Sequence, residues 1–466
     1  MTTAFDAIVI GSGQAGPFLA ARMAAAGIKC ALIEREHLGG TCVNDGCMPT
    51  KTLVASARAA HVARNAAAYG VSVAGGVSVD MKAVKARKDR IVHQSVQNLT
   101  NWLEGLPNLQ LVKGHARFVG AHAVEVSGQV LEAPRIFINV GGRAQMPDWE
   151  GIARVSVLTN TSILELDSLP EHLLVVGGSY VGLEFAQMYR RFGSRVTVFE
   201  YADRLIGHED PEVSDEVRAI LEREGVQFHL SVRDARVSSA AAGGRIRVSL
   251  QASGKTLTVE GSHLLAAVGR RANTDDLALE RAGIAADARG FIPVDDQLRT
   301  QVPGVWALGD VNGRGAFTHT SYNDFEIVAA NLLDGDARRV SDRIPAYALF
   351  IDPPLGRIGM SEAEIRATGR PALVGVMPML RVGRARERGE TQGFMKVLVD
   401  AQTERVLGAS LLCIEADEIV HCLLGLMYSG ASYRTMQRAV HIHPTVTELI
   451  PTLLGSLKPL EAARSA

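Results

Sequence analysis

Two unbroken apolar runs, Ala7-Ile8-Val9-Ile10 and Leu173-Leu174-Val175-Val176, each stop on glycine. A short run with no polar interruption reads as a strand buried on both faces. Each is followed by a helical pattern, Phe18 to Ala26 and Leu183 to Phe192, and then by a second strand, Cys30 to Glu34 and Arg195 to Phe199, that delivers an acid, Glu34 and Glu200. The interval from first glycine to acid is the same in both copies, Gly11 to Glu34 and Gly177 to Glu200. After each copy the pattern changes to short alternating runs parted by turn residues, as in a β-meander. The first meander is expected over Leu109–Val112, Ala123–Val126 and Arg135–Ile138, closing on Gly141-Gly142; the second over Arg245–Leu250 and Thr256–Val259, closing on Gly269. Residues 53–105 read as helical, with the basic run Lys82 to Arg90 on a solvated face.

Beyond these units, Gly304 to Asp310 reads as a short strand ending on an acid, with a helix from about Ser321 to Leu333. From Ile344 the character shifts to strands (Ala346–Ile351, Phe394–Val399, Ala409–Leu412) followed by helices (Glu415–Met427, Ser432–Ala439) and no glycine fingerprint. This predicts an α/β chain with two Rossmann-type domains, each with a meander, and a C-terminal α+β domain suited to dimerisation. The expected segments are 1–150, 151–271, a return to the first domain over 272–340, and 341–466.

The glycines make the repeated pattern chemical. Gly11-x-Gly13-x-x-Gly16 allows a tight turn and close approach of a pyrophosphate at a helix N-terminus, and Glu34 can accept from a ribose diol. The second copy, Gly177-x-Ser179-x-x-Gly182, replaces the middle glycine by the next smallest polar residue. Glu200 favours NADH, since a carboxylate repels a 2′-phosphate; Arg204 nearby leaves NADPH open. Two dinucleotide units in one chain imply electron transfer between two dinucleotides.

Charge is nearly balanced, 49 basic against 50 acidic residues, and makes no case for nucleic acid or an anionic membrane as partner. With a strand expected from Phe5 there is no room for a signal peptide, and no apolar run reaches the roughly 18 residues that span a bilayer. Five cysteines in 466 residues do not form a structural disulfide framework, so a cytoplasmic protein is expected. Two of them, Cys42 and Cys47, share the loop Gly39 to Lys51, just before a helix expected from Leu53 to Ala67. A helix N-terminus there favours a thiolate, so the pair reads as a redox-active dithiol. The plainer alternatives are two unrelated thiols or half a metal site, for which His61 is the only nearby further ligand. Cys30 reads as an inert core thiol, Cys413 and Cys422 as buried structural ones, and no metal site is expected. Asp45, between the paired cysteines, should raise a neighbouring thiol pKa. Near the end, His443-Pro444-Thr445-x-x-Glu448 contains a helix capping box that by itself accounts for Thr445 and Glu448.

Taken together, from Ala7 to Glu448, these motifs resemble the FAD-dependent pyridine nucleotide–disulfide oxidoreductases, the family of dihydrolipoamide dehydrogenase, glutathione reductase and mercuric reductase. The resemblance implies FAD on Gly11, Gly13, Gln14, Ala15, Gly16, Glu34, Gly40, Thr41, Lys51, Ala116, Gly141, Asp310, Phe317, Thr318 and His319. It implies a nicotinamide dinucleotide on Gly177, Ser179, Tyr180, Val181, Gly182, Glu184, Glu200 and Gly269, with Tyr180 as a gate over the flavin. Lys51 would pair with Glu184 under the flavin. Cys47 would be the flavin-side sulfur and Cys42, nearer solvent, the one that attacks substrate. His443 and Glu448 would act as an acid–base pair supplied by the other subunit of an obligate homodimer. The activity so implied is NAD(P)H-dependent reduction of a small disulfide, or the reverse on a dithiol. Reduction of Hg(II) or Cu(II) is the alternative enzyme. It is disfavoured because mercuric reductases end in a vicinal cysteine pair, absent from Leu457 to Ala466, and lack the His-Pro-Thr relay. A non-catalytic redox sensor or a subunit docked in a larger complex is the third reading.

Overall fold

The two apolar runs lie at the centres of two separate parallel sheets. We describe residues 2–240, 244–252 and 254–461 of a computed structural model. In the first sheet the strands run in the order Val305–Ala307, Ile136–Ile138, Ala7–Ile10, Cys30–Glu34 and Leu109–Lys113, all parallel. The second sheet has the order Val157–Leu158, His263–Ala266, His172–Val176, Arg195–Phe199 and Gln227–His229, again all parallel. Ala7–Ile10 and His172–Val176 are buried at every position, which is why both read as continuous apolar runs.

Two segments expected in the first meander belong instead to the first parallel sheet. Ile136–Ile138 is a central strand buried at every position. Leu109–Lys113 is the edge strand, and its partial exposure gives it the alternation of a meander strand. The meander itself is Ala116–Gly120, Ala123–Val126 and Gln129–Glu132, with Thr2–Ala4 added in parallel at its edge. The second meander gains Arg233–Ser239, whose run of arginines, aspartate and serines gives no apolar signal; only Val237 is buried there. A short antiparallel pair, Gly142–Ala144 with Arg270–Ala272, joins the two units.

The helical stretch is two helices, Cys47–Arg64 and Met81–Glu104, with a single 3₁₀ turn and irregular chain between them. Asp80 caps the second by accepting from the Lys82 and Ala83 amides. Lys88 departs from the expected solvated face: it is 3% exposed and bridges Asp89 and Glu165. The C-terminal domain is a six-stranded antiparallel sheet flanked by helix Ala416–Ser429, and includes the unexpected strands Leu355–Gly359 and Ala372–Pro378. Cys30 and Cys413 are buried, with burial holding both thiols up at about 12, whereas Cys422 is exposed on its helix rather than buried. No helix among the described residues is long and apolar enough to cross a membrane.

Candidate active site

Both glycine loops are built by the same contacts. Gly11 and Gly177 have φ of 97° and 111°, and a Cβ at either would collide with the carbonyl of the neighbouring strand's continuation, Asn139 in one copy and Ala267 in the other. Gly16 and Gly182 pack against the carbonyls of Gly11 and Gly177, leaving no space for a side chain. The acids are held alike. Glu34 accepts from the Ser12 and Glu36 amides at 3.0 and 2.8 Å; Glu200 accepts from the Gly178 and Ala202 amides at 2.6 and 2.7 Å. Each carboxylate is thereby fixed at a strand end with lone pairs to spare for a diol.

The middle position shows why serine is tolerated once. A Cβ on Gly13 would sit 2.9 Å from Asn139 Oδ1. That carboxamide accepts from Gly16 N at 3.0 Å and donates to Leu308 O at 2.8 Å, tying the loop to the strand that returns from the C-terminal side. The matching residue in the second copy is Ala267, whose amide bonds Val176 O as that of Asn139 bonds Ile10 O. Alanine carries no carboxamide, and Ser179 fits.

A cavity of about 940 Å³ runs from the first loop and Glu34 to the cysteine pair. Gly11, Gly13, Gln14, Gly40, Thr41, Ala116, Gly141, Asp310 and Phe317 to His319 all line it. Ala15 and Gly16 sit at the start of helix Gly16–Ala25. Tyr180, Val181 and Glu184 reach the cavity from the second unit, while Gly177, Ser179, Gly182, Glu200 and Gly269 lie outside its wall. Burial raises the Asp310 carboxyl pKa against the opposing pull of Arg270, whose Nε stands 3.4 Å away. Burial lowers that of His319, whose Nε2 lies 2.6 Å from Ala346 O.

At the far end are the cysteines, unbonded. Cys42 lies in a short helix, Gly40–Asn44, and Cys47 is the first residue of helix Cys47–Arg64, so the expected loop is two helix ends joined at Asp45-Gly46. The Cys47 thiol is lowered to about 6, chiefly by a hydrogen bond from Cys42, helped by the Thr318 hydroxyl at 3.1 Å and the Lys51 charge, and opposed by burial. Cys42 is raised well above the ordinary thiol range by the same hydrogen bond, which its proton makes. Both cysteines line the cavity. The Asp45 carboxylate accepts from Thr161 Oγ1 at 2.5 Å, tethering the cysteine segment to the second unit, and is not among the leading influences on either thiol. Among the described residues the pair has no third Cys, His, Asp or Glu near enough to share a metal ion.

Lys51 Nζ meets Glu184 Oε2 at 2.7 Å, and Glu184 Oε1 accepts from the Phe350 amide at 2.9 Å. Tyr180, Tyr347 and Phe317 pack ring on ring at 5.4 to 6.1 Å. Both tyrosine hydroxyls donate to Glu209 Oε1, at 3.2 and 2.8 Å. Glu209, Tyr347 and Arg357 gave no motif in the sequence; a lone glutamate after a helix-free loop has no spacing to betray it. His443 is placed apart. It is 79% exposed, pairs through Nδ1 with Glu448 at 2.9 and 3.1 Å, and does not line the cavity. Thr445 still caps Glu448 N at 3.2 Å, but the Glu448 side chain faces His443 instead of closing the capping box.

Residues 5–324 match the family model described as pyridine nucleotide-disulphide oxidoreductase, and residues 345–454 match the dimerisation domain of the same proteins. The chain belongs to this family. Among its relatives, the oxidoreductase RclA of Escherichia coli strain K12 is 35% identical over 463 residues, covering 97% of this chain and 99% of that protein. A dihydrolipoyl dehydrogenase of Cupriavidus necator is 32% identical, covering 97% of each. Of solved structures, the Cu(II) complex of HOCl-induced flavoprotein disulfide reductase RclA from Escherichia coli superposes with a TM-score of 0.87 at 34% identity, covering 97% of this chain and 99% of that one. This oxidoreductase is therefore an FAD-dependent enzyme using NAD(P)H, and its C-terminal sheet is a dimerisation domain that makes it a homodimer. The cavity fits FAD: a loop without room for side chains at one end, a fixed acid for a ribose, and a cation beside a thiolate at the other.

Proposed function

We propose that this oxidoreductase carries two electrons from NADH to the Cys42–Cys47 pair and on to a small disulfide, and can run in reverse on a dithiol. The observation that carries this reading is the arrangement of Cys47, a thiol lowered to about 6 by Cys42, Thr318 and Lys51 inside the cavity that also holds the Lys51–Glu184 pair. Bound there, FAD supplies the two-electron relay between nicotinamide and sulfur. Lys51, fixed by Glu184, sets a positive charge beside that relay. Glu200, with both oxygens held by backbone amides, receives the ribose diol and selects NADH over NADPH.

In the dithiol, Cys47 keeps the negative charge and Cys42 keeps the proton. Loss of that proton makes Cys42 the nucleophile: its sulfur bonds one sulfur of the substrate and the other leaves with a proton. Cys47 then attacks Cys42, re-forms the intramolecular disulfide and expels the second half of the substrate as a thiolate, which takes its proton from solvent. His443 takes the Cys42 proton and returns it to the leaving thiol, with Glu448 orienting the ring through Nδ1. Because His443 lies off its own chain's cavity, it serves the cysteines of the second copy in the homodimer.

A second reading has one specific support. A relative of similar length is solved as a Cu(II) complex, and a dithiol can reduce such an ion. Anaerobic NADH oxidation by the holoenzyme, with lipoamide, glutathione disulfide, Hg(II) or Cu(II) as acceptor, separates the two. Rapid turnover of a disulfide that Cys42→Ser abolishes supports the first; turnover with a metal ion alone overturns it. Cys42→Ser itself should bind FAD and show a long-wavelength thiolate–flavin absorbance from Cys47. That band in Cys47→Ser instead would reverse the two roles.

A further inference from the structure

The mechanism leaves one fully enclosed carboxylate unused. The Glu209 side chain has no exposed surface, and its Oε1 accepts from the hydroxyls of Tyr180 at 3.2 Å and Tyr347 at 2.8 Å. Its Oε2 stands 3.4 Å from Arg357 Nε, and neither of those two atoms has a hydrogen-bond partner. Tyr180 belongs to the second nucleotide unit, Tyr347 and Arg357 to the C-terminal sheet. Glu209 is thus the carboxylate through which an aromatic ring of each domain is tied to the other.

The loop that carries it is held at both sides. Ile206 N donates to Gly178 O at 2.9 Å, fixing the loop to the second glycine turn, and Glu209 N donates to Ile206 O at 2.8 Å. Next in sequence, Asp210 accepts from the Glu362 amide and from Lys396 Nζ, each at 3.0 Å. Lys396 is 1% exposed and also meets Glu212 and Glu362, so this acidic trio already holds a cation of the protein's own. Glu209 cannot follow Tyr180 if the ring moves.

Tyr180 is the first residue of helix Tyr180–Phe192, whose N-terminus the second glycine loop feeds, and its ring also walls the cavity near Glu184. A nicotinamide reaching from the second unit toward the cysteine end must pass that ring. We propose that Glu209 is a positioning residue that latches Tyr180 across this route, so that nicotinamide entry requires breaking the Tyr180–Glu209 hydrogen bond. The latch rests on the reading of the site given above, and part of the nicotinamide's binding free energy goes into opening it.

Calorimetric titration of the oxidised holoenzyme with NAD⁺ and, separately, with ADP-ribose tests this without turnover. ADP-ribose fills the adenosine and pyrophosphate positions but brings no nicotinamide to the ring. Tyr180→Phe removes one hydroxyl and leaves the ring; Glu209→Gln leaves a neutral, weaker acceptor. Each should tighten NAD⁺ binding by roughly threefold to tenfold, the order of one net hydrogen bond, and leave ADP-ribose unchanged. The double variant should bind no tighter than the stronger single one, because both break the same contact. Unchanged NAD⁺ affinity in Tyr180→Phe, equal shifts for both ligands, or single effects that multiply in the double variant would overturn the latch. Tyr180→Phe carries the test alone if Glu209→Gln does not fold. A wild-type flavin that NADH fails to reduce overturns the site reading and the latch together; normal reduction with unaltered variants overturns the latch only.

Discussion

The first and second nucleotide units share their turns, their held acids and even their hydrogen-bond partners, yet one is closed by a third segment and the other is not. In the first, Asn139 clamps the loop at Gly16 and reaches Leu308 on the returning chain, and the loop faces the long cavity. In the second, Ala267 stands in its place, and Gly177, Ser179 and Glu200 lie outside that cavity. The difference suits two kinds of occupant: a cofactor that stays, lying along a deep cavity, and a dinucleotide that comes and goes. One residue pair, Gly13 with Asn139 against Ser179 with Ala267, marks that division.

The largest effect should come from erasing it in the closed unit. Gly13→Ser places a Cβ against the Asn139 carboxamide, and the purified protein should lack the yellow absorbance of bound FAD; adding Asn139→Ala should restore part of it. Retention of full flavin by Gly13→Ser would break the comparison. Next, His443→Ala should lower disulfide turnover by about a hundredfold or more, while reduction of the flavin by NADH stays normal. A slow flavin step in that variant would remove the relay.

A smaller effect is expected at the cysteine end. The Cys47 thiolate band should fade as pH falls through about 6, and Thr318→Val should move that midpoint upward, because it removes one of the donors holding the pKa down. A thiol lowered on folding stabilises the native state fully above its unfolded pKa, and that contribution is lost as pH falls through about 6. The smallest effect should be Ser179→Gly in the open unit, with NADH KM altered by less than about threefold, since the facing residue there is Ala267 and carries no carboxamide.

How much of this was legible depended on the kind of signal. Ala7–Ile10 and Leu173–Val176 announced themselves because positions buried on both faces of a sheet favour apolar residues throughout. The glycine turns did so because only glycine fits beneath the Asn139 and Ala267 carbonyls. Leu109–Lys113 misled, since an edge strand of a parallel sheet is half-exposed and alternates like a meander strand. Cys422 misled in the opposite direction: its helix is apolar, but that side chain falls on the outer face.

By itself the sequence determined the two nucleotide units, the dithiol and the family, because each depends on residues close in the chain whose spacing is dictated by backbone geometry. The charge on Cys47 comes chiefly from its neighbour Cys42, but part of its hold was decided by the tertiary structure alone. Thr318, 271 residues from Cys47 in the chain, supplies a hydroxyl that no local pattern predicts. Tertiary structure alone also paired Asp45 with Thr161, and gathered Tyr180, Tyr347 and Arg357 from two domains around the Glu209 carboxylate. Electrostatic and hydrogen-bond terms act through space over a few ångströms, so contacts between residues distant in the chain leave no period and no motif to be read along it.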